Sequence, residues 1–297
     1  MTDLARRLSS ARLADPGSIA AGWAGRSRGG SLAQRHAEGR GLLLIAADHP
    51  ARGALGVRED PAAMASRTDL LQRLQVALDR PGVDGVLASP DILEDLLLLG
   101  LLDDLVVFGT MNRGGLQGAS FELDDRFTAM DAPTIADLGL DGGKMLTRIC
   151  YDDPGTAATL EASGRAVSEL AARGLVALVE PFITERVAPD RVRNRLDPDS
   201  VILSMHIAAA LGATSAYTWL KLPVVEDMER VLDATTLPTL LLGGDPTGDP
   251  AQTYASWGRA LDVPQAAGLV VGRALLYPTD GDVAAAVDTA ADLVHAR

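Results

Sequence analysis

Short apolar segments typical of β-strands alternate with longer, alanine-rich segments of helical period along most of the chain. The pattern predicts strands at residues 41–47, 84–88, 105–109, 144–150, 175–180, 215–221, 239–243 and 268–272. It predicts helices at residues 61–78, 91–99, 133–138, 156–173, 199–211, 226–234, 250–261 and 282–296. Strands that alternate with helices in this way indicate βα units and a parallel sheet.

Proline near the start of several predicted helices supports these boundaries. Asp60-Pro61, Asp197-Pro198 and Asp249-Pro250 each combine a capping side chain with a proline, and Ala132-Pro133 is a weaker signal of the same kind. Proline suits the first helical turn because the N–H that it lacks would have no intrahelical partner there.

Eight βα units over about 250 residues predict a (β/α)8 barrel, or TIM barrel, within the α/β class. The rival is an open, doubly wound sheet, which favours Gly-x-Gly-x-x-Gly after the first strand. Here that strand leads into Asp48-His-Pro-Ala-Arg52-Gly53, which does not match. Residues 1–40 precede the barrel and are expected to form a helical extension that closes its bottom or packs against a neighbouring subunit. We expect one barrel domain over residues 1–297.

Composition and charge limit the classes of partner. Hydrophobic residues make up 47% of the 297 residues, which is enough for a full core. A formal net charge of −13 argues against nucleic acid or an anionic membrane as a partner. One cysteine, Cys150, fits a reducing compartment, and no signal peptide is visible. We therefore expect a cytoplasmic protein without a nucleic-acid or membrane partner. We also expect the protein to form a homo-oligomer.

The chain contains only two lysines, Lys144 and Lys221, against 25 arginines. Each lysine lies in a predicted strand. A bias toward arginine explains the scarcity of lysine but not where the two remain. Lysine can form an imine with a carbonyl carbon once its pKa is lowered, whereas arginine stays protonated.

Catalytic groups of a (β/α)8 barrel come from the C-terminal ends of the strands and from the loops that follow. At these positions the sequence places acids, amines and glycine-bearing turns, namely Asp48, Lys144, Arg148, Glu180, Lys221, Gly243, Gly244, Gly272 and Arg273. We expect this set to converge on one face of the barrel.

The turns Gly243-Gly244 and Gly272-Arg273 follow the seventh and eighth predicted strands, where barrels often bind phosphate. Glycine lets the backbone approach phosphate oxygens, and arginine adds a charge-assisted hydrogen bond. Ordinary turn glycines are the simpler interpretation of either pair alone. Together, the two pairs favour a phosphorylated small-molecule substrate.

Lys221 is the candidate nucleophile because its neighbours Trp219, Leu220, Leu222 and Pro223 are apolar. Burial disfavours the ammonium form, so the pKa of Lys221 should fall and the neutral amine could attack a substrate ketone. The alternative is a lysine that extends to solvent at the barrel rim or pairs with an acid of the following helix.

The sequence leaves open the roles of Lys144, Glu180 and Asp48. Lys144 could lie beside Lys221 and lower its pKa, hold a substrate oxygen, or pair with Glu180 or Asp48. Glu180 ends a buried strand, and either it or Asp48 could be the general acid and base. Arg113 could bind a substrate carboxylate, although its loop is also consistent with a solvated surface.

These motifs resemble the class I, Schiff-base aldolases of the deoxyribose-phosphate, archaeal fructose-bisphosphate and tagatose-bisphosphate superfamily. The resemblance covers most of residues 41–280 and rests on Asp48 to Gly53, Gly143-Lys144, Glu180-Pro181, Leu220-Lys221-Leu-Pro223, Gly243-Gly244 and Gly272-Arg273. It implies that Lys221 forms the imine, that Glu180 and Lys144 assist, and that Asp48 lies in the site. It implies no metal and no cofactor.

The chain is also similar to an aldolase branch associated with actinobacterial inositol catabolism. That likeness implies cleavage of 2-deoxy-5-keto-gluconate 6-phosphate to dihydroxyacetone phosphate and malonic semialdehyde, and the substrate carboxylate would engage Arg113, Arg148 or Arg52. Tagatose- or fructose-bisphosphate-type substrates are alternatives. Deoxyribose-phosphate aldolases carry a lysine on strand seven, where this chain has Gly243-Gly244, so that substrate is disfavoured.

Two further alternatives stay open. A metal-dependent aldolase would need several histidines at strand ends, and only His49 is so placed. A barrel that binds a sugar phosphate without turning it over would keep the phosphate turns but would not form an imine.

Overall fold

The computed structural model describes residues 3–30, 32, 35, 39, 41–188, 191–244 and 248–296. Its strands are β1 Leu42–Ala47, β2 Gly85–Ala88, β3 Val106–Thr110, β4 Gly142–Ile149, β5 Val176–Ala188, β6 Arg191–Asn194, β7 Thr218–Pro223, β8 Thr239–Leu242 and β9 Ala266–Val271. Its helices are α1 Asp3–Ala14, α2 Gly17–Gly25, α3 Arg67–Leu78, α4 Pro90–Leu98, α5 Ala132–Asp137, α6 Gly155–Ala171, α7 Pro198–Ala209, α8 Met228–Asp233, α9 Pro250–Leu261, α10 Arg273–Leu276 and α11 Val283–His295, with a 3₁₀ helix at His49–Arg52.

All strands except β6 form one closed, parallel barrel. The hydrogen-bonded order around the ring is β1, β2, β3, β4, β5, β7, β8 and β9, and β9 pairs with β1. Helices lie between successive strands along the chain. This arrangement confirms the predicted (β/α)8 barrel, in which the sixth barrel strand is β7.

The core has two parts because side chains of a strand alternate between its faces. Inside the barrel, leucine and valine side chains of β1, β5, β8 and β9 pack with Phe108 and Trp219. Outside it, the opposite strand faces pack against the helices in a larger apolar cluster. Both faces of the parallel strands are therefore buried, which explains their nearly continuous apolar sequences.

The N-terminal extension is helical, as predicted. Helices α1 and α2 pack against α3 and α4 on the outside of the barrel. After α2, the buried guanidinium of Arg26 donates to the carbonyl oxygens of Leu102, Leu105 and Gly139. Because these carbonyls precede β3 and β4, Arg26 ties the extension to the bottom of the barrel. Other residues of the predicted 1–40 segment, including His36 and Arg40, lie outside the described residues.

The capping residues predicted for two of the helices were wrong. The helix expected from Pro61 begins at Arg67, where the Ser66 side chain accepts a hydrogen bond from the Asp69 amide. Asp60 instead accepts a hydrogen bond from the Ala62 amide within a turn, so its proline does not start a helix. The cap predicted at Ala132 is Asp131, whose carboxylate accepts from the Thr134 amide. The caps at Asp197 and Asp249 are as predicted.

Strand β5 is longer than the predicted segment 175–180, which was expected to end before Pro181. It continues to Ala188 and forms an antiparallel hairpin with β6, with Thr184 opposite Asn194. Pro181 lies beyond Val179, the last residue of β5 that pairs with β7, so at this point β5 pairs only with β4 and is no longer a central strand. The hairpin extends past the C-terminal ends of the barrel strands, next to the candidate site.

None of the helices in the described part of the chain has the length and apolar character needed to cross a bilayer.

Candidate active site

The alternation of strand side chains turns both lysines toward the barrel axis. Lys144 follows the inward position of Gly142 on β4, Glu180 follows Leu178 on β5, and Lys221 follows Trp219 on β7. Asp48 comes directly after β1. The ends of these strands meet at one edge of the barrel, so the four charged side chains form one cluster inside it.

The cluster is a chain of ion pairs. Lys144 Nζ lies 2.7 Å from Asp48 Oδ2 and 2.7 Å from Glu180 Oε2. Lys221 Nζ lies 3.2 Å from the same Glu180 oxygen. Lys144 and Lys221 are 3% and 4% exposed. Because all four groups are buried and paired, each lysine has a fixed position relative to Glu180.

The pKa values of the two lysines are shifted in opposite directions. Burial lowers the pKa of Lys221 below its ordinary value; Glu180 opposes this effect, and the Lys144 charge adds to it. Burial also acts to lower the pKa of Lys144, but Asp48 and Glu180 together outweigh it and raise that pKa. Lys144 is therefore a persistent cation, and Lys221 is the amine that more readily becomes neutral.

Both carboxylates stay ionised. Burial acts to raise the pKa of Glu180, but Lys144 and Lys221 reverse this and lower it to about 2. The same two lysines hold the pKa of Asp48 well below its usual range, against the effect of burial. Glu180 can accept a proton from a neighbouring group in this form.

His49 lies beside the cluster and is neutral. Burial lowers its pKa to about 3, because the nearby Asp48 only partly offsets burial and the charges of Arg273 and Arg52. Its Nδ1 is 3.7 Å from Asp48 Oδ1 and has no hydrogen-bond partner within the described part of the chain.

A cavity of about 400 Å³ opens above the cluster at the C-terminal end of the barrel. Lys221 and Glu180 line it, together with His49, Arg52 and Arg273. Neither Lys144 nor Asp48 forms part of its wall. The cavity can therefore bring a small molecule to Lys221 while Lys144 and Asp48 support the site from below.

The predicted glycine turns form one side of this cavity, with Gly243, Gly244, Gly272 and Arg273 in its wall. A Cβ on Gly272 would lie 2.4 Å from the Ala46 carbonyl oxygen, and one on Gly243 would lie 2.6 Å from a Val271 methyl carbon. Only glycine therefore fits at these two positions without a shift of the neighbouring strands. Thr253 and Ser256 of α9, whose side chains carry hydroxyl groups, border the same side of the cavity.

The other two predicted arginines are placed differently. The Arg148 guanidinium is buried, donates to the Gly114 carbonyl oxygen, and pairs with Glu122 Oε1 at 2.6 Å. Arg113 donates to the Ala51 carbonyl oxygen and to the Thr128 hydroxyl. Both arginines hold loops above β3 and β4, and neither lines the cavity.

Sequence reasoning missed the side of the cavity formed by the hairpin. Phe182 of β5, Asn194 of β6 and Leu196 line it. The period-two pattern continues from Leu178 and Glu180 to Phe182, which was the available signal. Pro181 obscured this signal because proline usually ends a central strand.

Among the described residues, no group of three or more histidine, cysteine, aspartate or glutamate side chains could hold a metal ion.

Solved structures share this fold. A crystal structure of Cgl0159 from Corynebacterium glutamicum (Brevibacterium flavum) matches with a TM-score of 0.94 and 53% identity, over 100% of this chain and 98% of that chain. An archaeal fructose 1,6-bisphosphate aldolase matches with a TM-score of 0.64 and 18% identity, over 88% of this chain and 96% of that chain.

A third structure is an archaeal fructose-1,6-bisphosphate aldolase with its catalytic lysine covalently bound to the carbinolamine intermediate of the substrate. It matches with a TM-score of 0.63 and 18% identity, over 87% of this chain and 95% of that chain. At this identity the two aldolase structures show a shared fold. No curated protein sequence matches the chain. The sequence model of the Cgl0159-like family matches residues 40–291. With most of its length matched, the chain belongs to the Cgl0159-like family.

Proposed function

We propose that the protein is a class I aldolase, a carbon–carbon lyase that cleaves a phosphorylated keto-sugar or keto-sugar acid through an imine on Lys221. One observation carries the proposal. The Lys221 amine is buried, has a lowered pKa, touches Glu180, and lines a cavity large enough for a sugar phosphate. An amine in this state is the nucleophile that imine formation requires.

The chemistry follows from these groups. The neutral Lys221 nitrogen attacks the substrate carbonyl carbon and gives a carbinolamine, which loses its hydroxyl group as water to form the iminium ion. A base removes the proton of the hydroxyl two carbons away, and the carbon–carbon bond breaks. Its electron pair moves toward the iminium nitrogen, giving an enamine and a free aldehyde. Protonation of the enamine carbon and hydrolysis of the imine then regenerate the amine.

Glu180 is the acid and base in this proposal. It is ionised, lies within 3.2 Å of Lys221, and faces the cavity, whereas Asp48 does not. Asp48 instead holds Lys144 in place through its 2.7 Å ion pair. Lys144 supplies a fixed positive charge that lowers the pKa of Lys221.

The substrate phosphate binds on the side formed by Gly243, Gly244, Gly272 and Arg273. The absence of side chains at the glycines lets phosphate oxygens approach the backbone amides, and the Arg273 guanidinium adds charge. These residues follow β8 and β9, which lie between β7 and β1 in the barrel, so the phosphate is held beside Lys221.

The specific substrate proposed is 2-deoxy-5-keto-gluconate 6-phosphate, with fructose or tagatose bisphosphate as alternatives. Support for the imine comes from the shared fold with an archaeal aldolase that forms a lysine carbinolamine. Cytoplasmic localisation, assembly into a homo-oligomer and a single domain over residues 1–297 belong to the same proposal.

A cleavage assay tests the function. The purified protein is incubated with each of the three phosphorylated substrates, and released dihydroxyacetone phosphate is reduced in a coupled assay that consumes NADH. We expect cleavage of at least one substrate at a rate that excess chelator does not change. Loss of activity with the chelator would instead indicate a metal-dependent aldolase. Tight binding without cleavage would indicate a sugar-phosphate sensor.

A further inference from the structure

Arg52 presents an unused positive charge to the cavity. It ends the 3₁₀ helix after β1, and its half-buried side chain forms part of the cavity wall. Gly53 follows with a φ of 78°, which caps this short helix in the left-handed conformation. Considering only the residues that the structure describes, the Arg52 guanidinium has neither a hydrogen bond nor an ion pair.

The neighbouring arginines already have hydrogen-bond or ion-pair partners. Arg148 pairs with Glu122, and Arg113 donates to Ala51 and Thr128. Arg273 donates to the Gly56 carbonyl oxygen at 3.4 Å and borders the glycine turns. A guanidinium is always charged and favours an oxyanion partner, so Arg52 is the group in this cavity that still requires one.

Arg52 and Arg273 serve different parts of the cavity. Arg273 follows β9 and lies with the turns after β8. Arg52 lies next to the loop that follows β3, whose Gln117 amide donates to the Arg52 carbonyl oxygen, and its charge also acts to lower the pKa of the Arg148 guanidinium on β4. A substrate whose phosphate binds at the glycine turns beside Arg273, within reach of Lys221, would therefore extend across the cavity with its other end toward Arg52 and the loop after β3.

We propose that Arg52 binds a carboxylate on the aldehyde half of the substrate and so selects a keto-sugar acid phosphate. The inference rests on the proposed function. Cleavage then releases an aldehyde that keeps the carboxylate, together with a ketone phosphate. No oxidant or reductant is needed, because the retro-aldol step only redistributes the bonding electrons of the substrate.

A carboxylate fits this end better than a second phosphate. The wall formed by β4 and the hairpin is largely apolar and consists of Leu146, Phe182 and Leu196 together with Asn194. One guanidinium matches a planar, singly charged carboxylate through two parallel hydrogen bonds. A phosphate dianion in apolar surroundings would need further donors, since its extra charge and oxygens would be left unpaired.

The reverse, carbon-bond-forming reaction tests the inference. Dihydroxyacetone phosphate is supplied with malonic semialdehyde, with its uncharged counterpart 3-hydroxypropanal, or with glyceraldehyde 3-phosphate, and kcat/KM is measured for each aldehyde. The wild-type protein should prefer malonic semialdehyde over 3-hydroxypropanal by about 10- to 100-fold, the contribution of a charged, bidentate contact.

The preference should depend on Arg52. In Arg52→Gln the ratio of the two kcat/KM values should fall to near one, and Arg52→Lys should give an intermediate ratio because an ammonium lacks the planar pair of donors. Arg193→Gln is the matched control, since Arg193 is exposed and pairs with Glu185 away from the cavity wall. It should keep the wild-type ratio.

Two outcomes would overturn the inference. One is the same ratio of kcat/KM values, malonic semialdehyde over 3-hydroxypropanal, in the wild type and in Arg52→Gln. The other is a wild-type preference for glyceraldehyde 3-phosphate over malonic semialdehyde. Deuterium exchange at C3 of dihydroxyacetone phosphate, without any aldehyde, separates the two proposals because it needs only the Lys221 enamine. If exchange occurs and the ratio of the two kcat/KM values is the same with and without Arg52, the carboxylate site is refuted and the proposal of an aldolase stands. Absence of exchange refutes both.

Discussion

Replacement of Lys221 by arginine should lower turnover by about 10⁴-fold or more, the size of loss expected when a covalent nucleophile is removed. Arginine keeps the positive charge beside Glu180 but cannot form the imine, because its guanidinium stays protonated. Turnover is measured as release of dihydroxyacetone phosphate, and circular dichroism reports whether the variant folds.

Lys221→Met is the companion variant, in case the larger guanidinium does not fit a side-chain position that is only 4% exposed. Methionine matches the four-atom stem of lysine without the amine, and Glu180 keeps its 2.7 Å pair with Lys144. We expect both variants to fold and to lack activity. Near-normal turnover in either folded variant would refute covalent catalysis at Lys221.

Replacement of Lys144 by methionine should lower turnover by about 10²- to 10⁴-fold and move the pH dependence upward. In the wild type, imine formation rises with pH as Lys221 loses its proton, at a pKa below the ordinary 10.5. Lys144 helps to lower that pKa, so its removal raises the pKa of Lys221. The acidic limb of the kcat/KM profile should therefore shift to higher pH.

The same variant should be less stable by about 3–5 kcal/mol, because Asp48 and Glu180 stay buried after their shared cation is removed. Adding Asp48→Asn should recover part of that loss, since one uncompensated charge is then absent. Urea unfolding of the single and double variants measures both effects. An unshifted pH profile in Lys144→Met would show that this lysine does not act on the protonation of Lys221.

Much of the fold follows from local patterns. Eight apolar segments alternating with helical ones predict the barrel, because parallel strands buried on both faces are apolar throughout. The hairpin of β5 and β6 was missed for a physical reason. Its exposed, charged residues Arg193 and Glu185 form an ion pair across the two strands, so the segment does not look like a strand in a core.

The residues that form the candidate site could be predicted from the sequence, but the contacts between them could not. Strand ends identify Asp48, Lys144, Glu180 and Lys221, since the carboxyl ends of barrel strands meet. The sequence does not indicate that both lysines share one Glu180 oxygen, because that depends on the stagger between β4, β5 and β7. Nor does the sequence distinguish Arg52, which faces the cavity, from Arg148, which forms an ion pair with Glu122.

Reduction of an enzyme–substrate imine tests the central claim most directly. The protein is mixed with dihydroxyacetone phosphate, treated with borohydride, digested, and analysed by mass spectrometry of its peptides. Because the chain has only two lysines, the site of any adduct is unambiguous. We predict a reduced adduct on Lys221 and none on Lys144. An adduct on Lys144, or no adduct under conditions in which the enzyme turns over, would contradict the proposed mechanism.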